Sequence, residues 1–200
     1  PNATVRYRAS NMILNVESDC SYLSEPKARS RWAGFHFLGE MTTASLVSNP
    51  NGPIHVPCQI LREVVASAAE GELAAVFHNA REACPIQICL EELGHRQPPT
   101  PIITDNTTAA GIANDTVKQK RSKAIDMRFY WIRDRIKQNQ FRVLWQKGQL
   151  NRADYFTKHH PASHHRRIRS AYLHDPTCRT QNYFTVLQNH DYPEHVVTTT

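Results

Sequence analysis

Apolar positions change period along this chain. Residues 12–16 (Met-Ile-Leu-Asn-Val) form a short β-type run closing on Glu17-Ser18-Asp19-Cys20-Ser21-Tyr22. Residues 23–31 are polar, with Pro26, Lys27, Arg29 and Arg31, and read as a loop. Residues 32–38 alternate and predict a second strand. A third, residues 54–58, answers the turn signal Asn49-Pro50-Asn51-Gly52, and Pro57 marks it as an edge strand. Strands in sequence joined by turns make an antiparallel meander.

From residue 64 the period becomes helical. Val65, Ala69, Leu73, Val76, Phe77, Ala80 and Cys84 share one stripe and predict a helix over 64–92. Pro85 is expected to bend or break it, and Gly94 to end it. Ile102-Ile103-Thr104 follows three prolines as a buried strand, with Asp105 at its carboxyl edge. Helices are expected over 107–117, capped by Asp105 or Asn106, and over 125–136. A last strand covers 141–145 and a last helix 151–158. Tyr130, Trp131 and Trp145 read as core residues. This order predicts an α/β fold: a mixed five-stranded sheet, antiparallel meander then parallel strands, flanked by helices. Parallel pairing of the first and fourth strands would bring acid-bearing ends together at an edge where open α/β sheets place their chemistry.

Four acids stand out: Asp19, Glu72, Asp105 and Asp154. Each also has a plain structural reading. Asp19 suits a turn, Asp105 a helix N-cap, and Asp154 a helix start three residues after Asn151. Glu70 competes with Glu72, about 200° away on the helix, and periodicity does not choose between them. Clustered carboxylates raise one another's pKa unless cations intervene. Divalent ions with hard oxygen ligands remove that cost, and a pair of them suits phosphoryl displacement.

Bulk properties narrow the setting. A hydrophobic fraction of 40% supports a real core, and 200 residues fit one domain with tails. The net charge of +6 is compatible with a polyanionic partner. Five cysteines, an odd number without a Cys-x-x-Cys pair, point to free thiols in a reducing, intracellular setting. No run approaches the roughly 20 apolar residues of a membrane span. A start at Pro rather than Met suggests a piece of something longer. Residues 1–11 read as the end of an upstream connection, 12–158 as the domain, and 159–200 as a basic, His- and Arg-rich tail expected to be disordered. That tail (His159, His160, His164, His165, Arg166, Arg167, Arg169) suits an arm on nucleic acid better than a metal site, since it lacks a ligand motif.

Over about residues 12–158 the chain resembles the ribonuclease H domain of retroelement polyproteins, most closely the copia type. Ser18-Asp19-Cys20-Ser21 matches the first acidic motif, Ala69-Glu70-Gly71-Glu72-Leu73 the second, Thr104-Asp105-Asn106 the third, and Asn151-Arg152-Ala153-Asp154 the fourth. Asp154-Tyr155-Phe156-Thr157-Lys158 and Arg121-Ser122-Lys123-Ala124-Ile125-Asp126 resemble copia-type segments, with Ala124 where His is usual. The resemblance selects Glu72 over Glu70. It implies a ribonuclease H-like fold and an endonuclease cleaving the RNA strand of RNA–DNA hybrids beside a reverse transcriptase. Asp19, Glu72, Asp105 and Asp154 would hold two Mg²⁺ ions, with Mn²⁺ a substitute. Ser21 and Asn106 are candidates to read the 2′-OH, and Lys120, Arg121 and Lys123 to hold phosphates. Residues 145–150 lack the His of cellular ribonucleases H, and Lys147 is a poor proton shuttle, so slow turnover is expected. Two rivals stay open: an inactive domain that binds nucleic acid or braces a polymerase, and an integrase-like nuclease. The helix-borne Glu between the first two Asp residues disfavours the second.

Overall fold

In the computed structural model, which describes residues 3–41, 51–117 and 126–174, the first strand is longer than the apolar run that announces it. β1 spans Ile13–Glu25 and returns as β2, Arg29–Gly39. The expected loop over 23–31 is therefore a hairpin. Its turn places Lys27 and Ala28 at positive φ, where glycine or asparagine would have signalled a turn. The expected third strand divides into β3, Pro53–His55, and β4, Cys58–Ile60, both antiparallel to β2 and interrupted around Pro57. Most of the predicted turn before β3 lies outside the described residues.

α1 spans Ala68–Glu92. Pro85 lies inside it and does not break it. The far half is fixed by tertiary contacts that outweigh the lost hydrogen bond. Gln87 donates to Thr100 Oγ1 (2.7 Å) and to the Gln140 carbonyl (3.1 Å), and Leu90 enters the core. Gly94 ends the helix as expected: at φ 89° it donates to the Glu91 carbonyl while His95 N–H reaches Leu90. β5 (Thr100–Thr104), α2 (Thr107–Ala113), α3 (Asp126–Lys137) and β6 (Phe141–Trp145) follow. α2 stops four residues short of the predicted end. After a 3₁₀ turn over Gly148–Leu150 comes α4, Asp154–Thr157, shorter than the helix expected over 151–158.

The sheet order is β3/β4–β2–β1–β5–β6, with β1 antiparallel to β2 and parallel to β5, and β5 parallel to β6. The α/β architecture is thus the expected one, a mixed sheet of five positions with flanking helices. Alternation along the strands sorts its two faces. Leu14, Val16, Ile102 and Val143 pack with Leu73, Val76, Ala80 and Ala83 of α1 and with Phe129 and Ile132 of α3. Tyr130 and Trp145, expected in the core, are instead exposed, because the stripe of α3 runs through Phe129 and Ile132, and Trp145 ends its strand. Among the described residues no helix is long and apolar enough to cross a membrane, and Cys20, Cys58, Cys84 and Cys89 are free thiols.

The opposite face carries charge. Glu17 of β1 is fully buried and accepts from the Arg152 backbone N–H (2.7 Å) and from its guanidinium. The guanidinium lies over the rings of Phe35 and Phe37, at 5.5 and 5.0 Å. Beside it, Asn151 Nδ2 donates to the Ser18 carbonyl (2.8 Å).

Two compact units divide the chain, Tyr7–His159 and Pro1–Arg6 with His160–Thr200. In the first, Arg8 and Asn51 exchange hydrogen bonds, Arg8 N–H to Asn51 Oδ1 and Asn51 Nδ2 to the Arg8 carbonyl. In the second, Thr4 and His174 pair through their backbones, and α5, Ala162–Tyr172, is helical where a disordered tail was expected.

Removing one partner of a buried pair strands the other's charge. Arg152→Met alone is expected to lower the urea-unfolding free energy by about 3–5 kcal/mol, and adding Glu17→Leu to restore most of it. A loss no larger in the single variant than in the double one would contradict the pairing.

Candidate metal centre

Strand register brings the first two acids together. β1 and β5 align Val16 with Ile102 and Glu17 with Ile103, so two residues further on Asp19 comes level with Asp105. Asp19 is not at a strand end, as the sequence suggested, but within β1 opposite Ala33 of β2. Polar residues continue this strand because their partners are buried with them. Ser18 accepts from Asn79 Nδ2 (3.0 Å), and Asp19 Oδ2 accepts from the Thr157 hydroxyl. Asp105 lies one residue beyond β5. Its backbone carbonyl accepts from Trp145 Nε1 (2.9 Å), tying the end of β5 to the last residue of β6.

Helix α1 supplies the third acid and resolves the Glu70–Glu72 ambiguity. Glu70 caps: its N–H donates to Ser67 Oγ (3.2 Å) and its carboxylate accepts from Ala66 N–H (2.6 Å). Glu72 is buried, taking the Cys20 N–H (3.1 Å) on one oxygen and the Thr104 hydroxyl (3.2 Å) on the other. Asp19, Glu72 and Asp105 each bring a carboxylate oxygen to within 4.8 Å of the others.

Asp154 stands at the edge of this triad. It opens α4 and forms an ion pair with Lys158 one turn later. Its charge still reaches Asp19 and Asp105, raising the pKa of both. Burial is the largest cause at every member. It pushes Asp19 up to about 6, against the Thr157 hydrogen bond, with Asp154 adding to the rise. Glu72 is raised well above its ordinary value by burial and then by Asp19 and Asp105. Asp105 is raised by burial and Asp154, while Lys158 pulls it down. Such a set of hard oxygen donors, mutually repelling and partly desolvated, fits divalent cations of the Mg²⁺ type.

The remaining predicted residues separate. Asn106, rather than Asp105, caps α2: its Oδ1 accepts from Ala109 N–H (2.9 Å). Ser21 is buried, its hydroxyl 2.6 Å from that of Ser24. Lys120, Arg121 and Lys123 lie outside the described residues. In the tail, the His160 and His164 rings stack at 4.2 Å, and the acid triad is the one metal-capable group among the described residues. Sequence reasoning missed Thr157, Thr104 and Gly148. A Cβ on Gly148 would sit 2.5 Å from Asp105 Oδ2, so this backbone closes directly on the carboxylate. The signals were faint: Thr157 and Thr104 stand inside the acidic motifs, and Gly148 stands in the segment that lacks a His.

No protein-family model matches the sequence. The chain is 28% identical over 117 residues, 58% of its length, to the retrovirus-related Pol polyprotein from transposon TNT 1-94 of Nicotiana tabacum, and spans 9% of that polyprotein. Among solved structures it resembles LC11-RNase H1, isolated from compost by a metagenomic approach (TM-score 0.51), and the same protein in complex with an RNA/DNA hybrid (TM-score 0.50). Each is 11% identical, over 72% of this chain and 92% of the other. The fold is that of ribonuclease H, and the sequence similarity is to a retroelement polyprotein.

Raised acids make the ion-free pocket a source of instability with a definite sign. A carboxyl whose folded pKa exceeds its unfolded value stabilises below the unfolded pKa, and that contribution is lost as pH rises through the folded one. With divalent ions chelated, Asp19→Asn is therefore expected to stabilise the protein at pH 7 by up to about 3 kcal/mol and by little near pH 4. The difference between variant and parent is the proper readout, because buried His36, lowered to about 4, acts in the opposite direction. Denaturant unfolding at the two pH values checks it. Separately, Gly148→Ala is expected to weaken Mn²⁺ binding by about 10–100-fold in calorimetry with little loss of stability, since a carboxylate end shifts more easily than a backbone.

Proposed function

We propose that this chain, a domain with the ribonuclease H fold related to a retroelement polyprotein, is an endonuclease that hydrolyses the RNA strand of RNA–DNA hybrids during retrotransposon reverse transcription. It would work beside the reverse transcriptase of the same, copia-type polyprotein. The observation that carries this reading is the convergence of Asp19, Glu72 and Asp105, drawn from two strands and a helix, with oxygens within 4.8 Å of one another. These three and Asp154 are the proposed ligands of two Mg²⁺ ions, with Mn²⁺ a substitute. Bound there, such ions supply an activated water and stabilise the leaving oxygen of an in-line displacement.

The chain's own groups orient the ligands. Thr157 fixes the Asp19 carboxylate, and Thr104 with the Cys20 N–H fixes both oxygens of Glu72. Gly148 leaves room for Asp105. On the substrate side, the cap at α2 commits Asn106 Oδ1 and leaves its amide N–H groups to donate to a 2′-OH. The Ser21 hydroxyl would have to leave Ser24 to do the same. Lys120, Arg121 and Lys123 supply phosphate contacts, weakening as salt rises. The segment between Trp145 and Asn151 offers no His for proton transfer, which supports a slow enzyme.

The test is cleavage of a strand-labelled hybrid by the purified chain. Cleavage of the RNA strand that requires Mg²⁺ or Mn²⁺, spares duplex DNA and falls by more than about 100-fold in Asp105→Asn is the expected result. Equal cutting of duplex DNA would replace it with an integrase-like activity. Hybrid binding without cleavage would reduce the domain to a scaffold.

A further inference from the structure

Lys158 is a cation lodged in an anionic pocket, in a place set by the fold. It follows α4, one turn after Asp154, and its ammonium is ion-paired with the Asp154 carboxylate. Its charge acts on Asp19 and Asp105 as well, favouring the ionised form of each. Glu72 behaves differently: the charges that act on it are those of Asp19 and Asp105. The pocket is thus electrostatically lopsided, with one side holding three carboxylates and the other an acid that already has a counter-ion. Arg152 is sealed against Glu17, whereas the Lys158 side chain is 47% exposed and has water to move into.

We infer that Lys158 is a built-in competitor for the second divalent ion, so that the pocket fills in two unequal steps. This rests on the reading of the pocket as a divalent-ion site. The first ion sits among Asp19, Glu72 and Asp105 and needs nothing from Asp154. The second draws on Asp154 and enters only as the ammonium swings out. Lys158 thereby sets the ion concentration at which the site is complete, and in the ion-poor state it holds Asp154 against repulsion from Asp19 and Asp105. A lysine suits this role because its charge is a compact point on a flexible stem.

The experiment is a Mn²⁺ titration of the full chain, free ion followed by electron paramagnetic resonance and heat by calorimetry, for parent, Lys158→Gln, Lys158→Arg, Asp154→Asn and Asp105→Asn. The parent is expected to bind one ion at least about tenfold more tightly than a second. Lys158→Gln should tighten the second step by about tenfold and leave the first within about threefold. Lys158→Arg keeps the charge and should retain the parent's weak second step, which separates competition from altered packing. Asp154→Asn should abolish the second step. An unchanged second step in Lys158→Gln, with Asp154→Asn still abolishing it, overturns this inference and leaves the metal-site reading standing. Absence of any Mn²⁺ binding that depends on Asp105 overturns both.

Discussion

The Glu17–Arg152 pair is the constraint on which the site's geometry depends. The two residues lie 135 positions apart and are both sealed from water. A buried carboxylate needs an opposite charge with directed hydrogen bonds, and Arg152 provides both, its guanidinium donating to one oxygen of Glu17 and its backbone N–H to the other. Once Arg152 is fixed over Phe35 and Phe37, its neighbours have little freedom. Asn151 is bonded to the Ser18 carbonyl on one side, and Asp154 and Thr157 follow on the other. The last acidic segment thus reaches the pocket because a non-catalytic charge two residues before Asp19 anchors it. Such a pair contributes less to stability than apolar residues of equal size often would, and its value here is in specifying one arrangement.

That specificity is needed because the pocket opposes its own formation. Burial raises the pKa of Asp19, Glu72 and Asp105, and neighbouring carboxylates add to the rise: Asp154 and Asp105 at Asp19, Asp19 and Asp105 at Glu72, and Asp154 at Asp105. A pocket this unfavourable forms only where stronger demands hold its walls. The β1–β5 register places Asp19 beside Asp105 as a by-product of pairing Val16 with Ile102, a contact made by the apolar core. Two hydroxyls and a backbone N–H then orient the oxygens at small cost. Core formation holds the acids in place, and the hydrogen bonds aim them.

What the sequence made legible follows from the same division. Short apolar runs announced β5, which is buried along its whole length, and β6, whose Phe141 and Val143 are buried, with Phe141–Trp145 bounded as predicted. The second half of β1 left none. Its polar residues are satisfied by partners far along the chain, Asn79, Thr157 and Glu72, which no local window contains. Nor did the β1–β2 turn declare itself, since Lys27 and Ala28 adopt a conformation their side chains do not advertise. Periodicity placed Glu70 and Glu72 on either flank of a stripe, and it took the capping contacts of Glu70 to separate their roles. The acids were legible as candidate ligands; Thr104, Arg152 and Thr157 stood in the same motifs, but their positioning roles, like that of Gly148, were not legible.

Helix α1 shows why polar contacts carry this positional information. Its buried stripe is rich in alanine, with Ala74, Ala75, Ala80 and Ala83 all in the interior, and small uniform side chains pack almost equally well after a slip along the sheet. Two polar residues prevent that slip. Glu72 takes the Cys20 N–H, and Asn79, two turns later on the same side of the helix, donates to Ser18 Oγ and the Ala33 carbonyl. Asn79 Oδ1 also meets His36 Nε2 at 3.0 Å, in a space that exists because position 34 is glycine; a Cβ there would fall 1.8 Å from that oxygen. A shift by one residue would break these bonds together and leave buried polar atoms unpaired, a far steeper penalty than misplacing an alanine. The register that carries Glu72 to Asp19 and Asp105 is therefore set by Asn79, Gly34 and His36, none of which belongs to the acidic pocket.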